Sequence, residues 1–285
     1  MAETANDKIG SNRAMRIFYG NPTGRLVMKG LLKARMPKAM AAYLRSPLSK
    51  GMIRRYIKKN GIDMSEYEEK KYRSFADFFA RRKLVNNNDT NPNHLTSPCD
   101  GWLSAYKIEE DSSFAIKGSH YRICDLMDDP ELAEKYKDGV GLVFRLSPSD
   151  YHHYSFVDDG YIHKNNFIEG KLHSVQPIAC SKLPVFRLNR RVWSLLNTVH
   201  FGPVVQIEVG ALAVGGIVNE YEHTTFQKGD TMGHFELCGS TIVLLIQKHQ
   251  IELLPEIEKV LESNREYQVK QGMWIASKPE SEIDM

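Results

Sequence analysis

Ile242-Val243-Leu244-Leu245-Ile246 is an unbroken aliphatic run preceded by Glu236-Leu237-Cys238-Gly239-Ser240-Thr241. A run this short and rich in β-branched residues predicts a buried β-strand. Gly239 lets the backbone turn tightly at little steric cost, which puts Ser240 at the mouth of that strand. A hydroxyl there either closes a turn or serves a chemical purpose, and Gly-Ser-Thr taken alone favours the turn.

Other short apolar segments extend the sheet. Val140-Gly141-Leu142-Val143-Phe144-Arg145-Leu146 and Val204-Val205-Gln206-Ile207-Glu208-Val209 both suit strands, and Gly and Pro interrupt the chain too often for long helices. Asp125 to Lys137 is the main helical interruption, with Leu126, Met127 and Leu132 turned inward. There is no solenoid-length repeat, and none of the 20 glycines forms a Rossmann or P-loop motif. The expected class is α+β: a helical, basic N-terminal region over residues 1–85 and a β-rich domain over 94–285. The polar stretch Asn86 to Asn93 marks the boundary.

Charge separates the two parts. Met1 to Asn60 holds 14 Lys or Arg against Glu3 and Asp7, a local +12, so the remainder must carry −9 to reach the total of +3. Arg25 to Leu44 reads as one helix or as two broken near Pro37, with Leu32, Met36, Met40 and Leu44 repeating every four residues and cations on other faces. Such a helix either packs on its own domain with a wet basic face or lies on an anionic lipid surface. No recognition motif supports a nucleic-acid arm. The chain has no apolar run of 18 residues and no secretory-signal pattern. Cys99, Cys124, Cys180 and Cys238 lack metal-ligand spacing, so no metal is expected, and free thiols in a reducing compartment are the preferred reading. Ser74 is positioned to cap a helix through Phe75, Phe78 and Phe79, whose rings read as core.

Around the serine, Lys228-Gly229-Asp230-Thr231-Met232-Gly233-His234-Phe235 leads into Gly239-Ser240-Thr241. Upstream come Phe75-Ala76-Asp77-Phe78-Phe79-Ala80-Arg81-Arg82, Pro98-Cys99-Asp100-Gly101, Ile116-Lys117-Gly118 and Asp150-Tyr151-His152-His153. Gly170-Lys171-Leu172-His173 and Asn189-Arg190-Arg191 complete the series. In this order the blocks resemble the phosphatidylserine decarboxylases, over about Phe75 to Ile246. The resemblance implies self-cleavage between Gly239 and Ser240, giving a β chain of residues 1–239 and an α chain of 240–285 that stay associated. It further implies that Ser240 becomes a covalent pyruvoyl (pyruvate) cofactor, the electron sink for converting phosphatidylserine to phosphatidylethanolamine and carbon dioxide.

Within that frame Asp100, His152 and Ser240 are the expected catalytic residues, with Asp100 orienting His152. Many members carry His-x-x-His after the tyrosine, whereas this chain has His152 and then Ser155. A shorter Tyr-His-x-Tyr-x-Phe form matches Tyr151 to Phe156, so His153 and Tyr151 stay open as alternative proton carriers. Lys117 and Arg190 are candidate substrate contacts, since both present donors to anions. Phosphatidylserine and an anionic membrane surface are the expected partners, a second copy of the chain is a further candidate, and the expected location is peripheral, on the cytoplasmic side of the cell membrane. The competing readings are an uncut, noncatalytic lipid-binding relative and a pyruvoyl enzyme acting on a soluble amino acid.

Overall fold

A computed structural model describes residues 13–33, 36–85, 87–109, 111–116, 119–211, 216–237 and 240–279. Gly239, on one side of the expected cleavage bond, and Lys117, an expected anion contact, lie outside the described residues, as do Arg35 and Cys238. The chain is an α+β fold in which helices precede a β-rich part.

Among the described residues the N-terminal region holds five α-helices: α1 (Arg13–Gly20), α2 (Pro22–Lys33), α3 (Met36–Arg45), α4 (Gly51–Asn60) and α5 (Phe75–Phe79). Pro37 sits in the first turn of α3, where its missing N–H leaves no intrahelical bond unmade, so the basic segment is two helices. Ser74 caps α5 by accepting from the Asp77 N–H at 3.2 Å. Of the four-residue apolar repeat, Leu44 is buried and Leu32 half-buried, while Met36 and Met40 are exposed. This region is fastened to the rest: Tyr19 is buried with Met28 and Ala179, Phe75, Phe78 and Phe79 share a core with Leu237, and Arg45 pairs with Glu236.

The strands are β1 (His94–Thr96), β2 (Gly101–Lys107), β3 (Ser113–Ile116), β4 (Ser119–Arg122), β5 (Val140–Leu146), β6 (His153–Ser155), β7 (Gly160–Ile168) and β8 (Arg191–Thr198). They continue as β9 (Pro203–Val209), β10 (Ile217–Asn219), β11 (Thr224–Phe226), β12 (Thr231–Phe235), β13 (Ser240–Ile246), β14 (Glu252–Leu253), β15 (Tyr267–Val269) and β16 (Trp274–Ser277). The large sheet runs β11-β7-β8-β9-β13-β5-β2-β15, with antiparallel neighbours throughout. A small sheet runs β10-β12-β6.

Strand β13 lies between β5 and β9 with all seven residues buried. Ile242, Leu244 and Ile246 enter one hydrophobic core while Val243 and Leu245 enter the other, so both faces of the sheet are covered. A strand buried on both faces needs apolar side chains at every position, which is why the run is continuous and does not alternate.

The helix expected over Asp125 to Lys137 is two short helices, α6 (Ile123–Met127) and α7 (Pro130–Glu134). Asp128 ends the first in the left-handed region at φ 58°, and Asp129 caps the second ahead of Pro130.

Candidate active site

Ser240 opens β13, opposite Leu146 of β5, and is fully buried. Its Oγ and the Oγ1 of Thr241 have no hydrogen-bond partner among the described residues. Leaving a buried hydroxyl unsatisfied costs about 1–3 kcal/mol, so a site that keeps one calls for a reason.

His152 directly precedes β6, and its carbonyl accepts from the Phe235 N–H at 2.9 Å. His153 lies opposite His234 of β12, the rings stacked with centroids 4.8 Å apart. The small sheet thus ties both histidines to the strand that runs on toward Ser240. His152 Nδ1 is 2.8 Å from the Asp150 carbonyl and His153 Nε2 is 3.2 Å from the Ala80 carbonyl. A carbonyl only accepts, so those nitrogens carry the protons. The opposite nitrogens, His152 Nε2 and His153 Nδ1, are buried acceptors without a partner among the described residues. Burial drives both imidazoles down to about 3, with the positive fields of neighbouring Arg81 and His234 adding to it. Each ring is therefore neutral at physiological pH, with one lone pair available to take a proton.

Among the described residues the Asp100 carboxylate makes no hydrogen bond to His152. Its carboxylate accepts from Lys83 Nζ at 3.2 Å, Lys270 Nζ at 3.1 Å and the Gln271 N–H at 3.0 Å. Burial pushes this carboxyl up, but the two lysines and the backbone donor outweigh it and hold it below its usual range. The ring of His152 is fixed instead by the Asp150 carbonyl and by Phe79, whose ring centroid lies 4.2 Å away. The negative charge of Asp100 favours the protonated form of His152, against the larger effect of burial. Ser155 bonds to the Pro98 carbonyl through its N–H at 2.8 Å.

Tyr151 stacks on His153 at 4.9 Å and lies under Lys83 Nζ at 4.7 Å. Burial pushes its phenol up to about 12, which keeps it protonated. Arg190 pairs with Glu169 at 3.2 Å and lies over Phe167. It lies on the loop beside the start of β8.

Four contributors escaped sequence reasoning: Phe79 and Ala80 from the helical region, and Lys83 and Lys270 around Asp100. The aromatic stripe of α5 was legible as core, but nothing local shows that its last turn packs on a histidine 73 residues away. Glu208 was missed as well. It is fully buried on β9, accepting from Gln206 Nε2 at 2.8 Å and from Asn219 Nδ2 at 3.3 Å, and burial raises its carboxyl to about 7.

An unpartnered buried serine hydroxyl at a strand start and neutral imidazoles tied to the neighbouring strand suit acyl transfer by that serine.

Residues 75–276 match the family model described as phosphatidylserine decarboxylase. The chain is 38% identical to phosphatidylserine decarboxylase proenzyme 2 of Clostridium acetobutylicum over 277 residues, covering 95% of this chain and 94% of that protein. It is 36% identical to a phosphatidylserine decarboxylase proenzyme of Desulfitobacterium hafniense, covering 88% and 87%. A proenzyme of the same description from Clostridium novyi is 35% identical, with 95% of each chain covered.

Proposed function

The chain belongs to the phosphatidylserine decarboxylase family, and on that premise we propose that it cuts itself before Ser240 and decarboxylates phosphatidylserine to phosphatidylethanolamine. The observation that carries this reading is the buried Oγ of Ser240 at the start of the central strand, without a hydrogen-bond partner among the described residues.

Maturation begins when Ser240 Oγ attacks the Gly239 carbonyl carbon while a neutral imidazole takes the hydroxyl proton. The C–N bond breaks, the amine of residue 240 recovers a proton, and Gly239 is left in an ester linkage to the serine oxygen. Loss of the Ser240 Cα proton expels the Gly239 carboxylate, and water then releases ammonia and leaves a ketone at position 240. His152, with Nε2 unprotonated, is the assigned base, and His153 Nδ1 is its rival. The members of this family work with a pyruvoyl group, which supplies an electron-poor carbonyl that condenses with the substrate amine and accepts the electron pair left by carbon dioxide. In the mature enzyme the same imidazole lone pairs hold and return the substrate's protons. Asp100, clamped by Lys83 and Lys270, fixes the turn beside Pro98 and β6 and acts as a positioning residue.

The basic helices act at the membrane surface. Leu26, Met36 and Met40 expose apolar side chains among lysines and arginines, a pattern suited to lying on anionic lipid at the cytoplasmic face. Among the described residues no helix is long and apolar enough to cross a membrane.

Denaturing mass spectrometry tests the central claim. Active protein should separate into a chain ending at Gly239 and a 46-residue chain from position 240 to 285 with a blocked terminus. Ser240→Ala should stay at full length. Full activity from an uncut chain would sink the proposal.

A further inference from the structure

A cavity of about 750 Å³ lies at the seam between α2 and the segment Gly170–His173. This volume is within the range of roughly 300–1,000 Å³ usual for sites that enclose small ligands. Leu26, Leu32, Leu172, Leu183 and Leu188 give it a mainly aliphatic wall. Arg25, Lys29, Lys33, Lys38 and Lys171 also line it, and no carboxylate does so among the described residues. One end opens where Leu26 is 70% exposed.

Through Leu172, one wall of the cavity backs onto the end of β9, the neighbour of the active strand. Leu172 abuts Gly210: a Cβ built there would meet Leu172 Cδ2 at 3.7 Å. Asn189 clamps the two segments together, donating from Nδ2 to the carbonyls of His173 and Gly210, each at 2.8 Å. Val209, the residue before Gly210, is the register partner of Thr241, the neighbour of Ser240.

An aliphatic trough bordered only by cations is complementary to one kind of molecule, an apolar chain joined to an anion. We propose that this cavity receives an acyl chain of the phospholipid substrate, with its phosphodiester held by the bordering cations, so that the cavity selects substrates by chain length. The inference rests on the decarboxylase reading and adds a specificity site to it. Each methylene withdrawn from water is worth about fourfold in affinity, so chain length is a sensitive readout.

The test compares kcat/KM for dipalmitoyl and dihexanoyl phosphatidylserine, both in mixed micelles, in the unmodified enzyme, Leu188→Trp and Leu26→Trp. Filling the cavity from either wall should lower the long-to-short ratio by about tenfold. An unchanged ratio in both variants overturns the proposal, and because it is a ratio, partial misfolding cancels. A second arm works without turnover: spin-labelled dipalmitoyl phosphatidylserine is titrated onto full-length Ser240→Ala protein. The expected result is an immobilised label, mobile again when either tryptophan is added. No immobilisation, or displacement of the lipid by inorganic phosphate alone, overturns the cavity assignment. Lipid immobilised by a protein that decarboxylates neither substrate would instead uphold the cavity and sink the decarboxylase reading.

Discussion

At positions 152 and 153 the protein keeps imidazoles neutral under conditions that would protonate an ordinary histidine. Their depressed values mean that acid favours the unfolded chain: the stability tied to these rings is complete above about 6.5 and is lost as pH falls toward about 3. The base for processing should therefore survive mild acid. Cleavage of freshly made proenzyme, followed by gel between about pH 8 and pH 5, should hold its rate while the protein stays folded. A rate that halves near 6.5 would show an unshifted base. His152→Ala should slow cleavage by about 10²–10⁴, and the same loss in His153→Ala alone would move the role to the neighbour. The histidines were legible because they stand side by side in a recognisable motif. Their supports were not, since carbonyls of Asp150 and Ala80 carry no signature in the letters and the lysines on Asp100 come from distant segments.

Among the elements, the two sheets that carry serine and histidine are braced by a polar chain through Asn219. Glu208 on β9 accepts from Asn219 on β10, whose Oδ1 accepts from the Tyr154 hydroxyl on β6 at 2.5 Å. Because burial raises the Glu208 carboxyl to about 7, its contribution to stability is complete below about 4.5 and is lost as pH rises from there through about 7. Urea midpoints for Glu208→Gln and the unmodified protein should thus shift in the variant's favour between about pH 5 and pH 8. A difference independent of pH would mean that the carboxyl does not titrate in the fold. Strands β5, β9 and β13 were readable because apolar runs determine them directly. The break between α6 and α7 was also written in the sequence, as Asp128-Asp129-Pro130, but inward-facing apolar residues on both sides masked that turn chemistry.

For the molecule as a whole, the charge imbalance is read directly from the sequence, whereas the contacts that join the two parts across Asn88 and Asp89 are not. Asp89 donates its N–H to the Gly272 carbonyl, and Asn88 reaches Gly229, so the connector is strapped across the β-rich part. Contacts of this kind pair residues far apart in the chain and leave no periodic trace. The basic helices still present exposed cations and apolar side chains outward. Flotation with anionic vesicles should exceed that with neutral ones and weaken as salt is added. Replacing Lys29, Lys33 and Lys38 together with Gln should reduce it, by up to about 1 kcal/mol per cation. Unchanged flotation would remove these lysines as the anchor.

Strand β13 begins at the residue where the cut is proposed and lies between β5 and β9. The cut therefore divides the polypeptide but not the sheet, and the small chain stays captive as its central strand. Before cleavage, folding is a first-order event within one molecule; afterwards, restoring the same structure requires two molecules to collide. Unfolded Ser240→Ala protein should refold at a rate independent of dilution, whereas recovery of the processed enzyme should fall as its concentration falls. Equal recovery at every dilution would mean that the small chain never leaves its partner. The processed enzyme keeps a structure that it reached as a single chain and, once scattered in dilute solution, has no unimolecular route back.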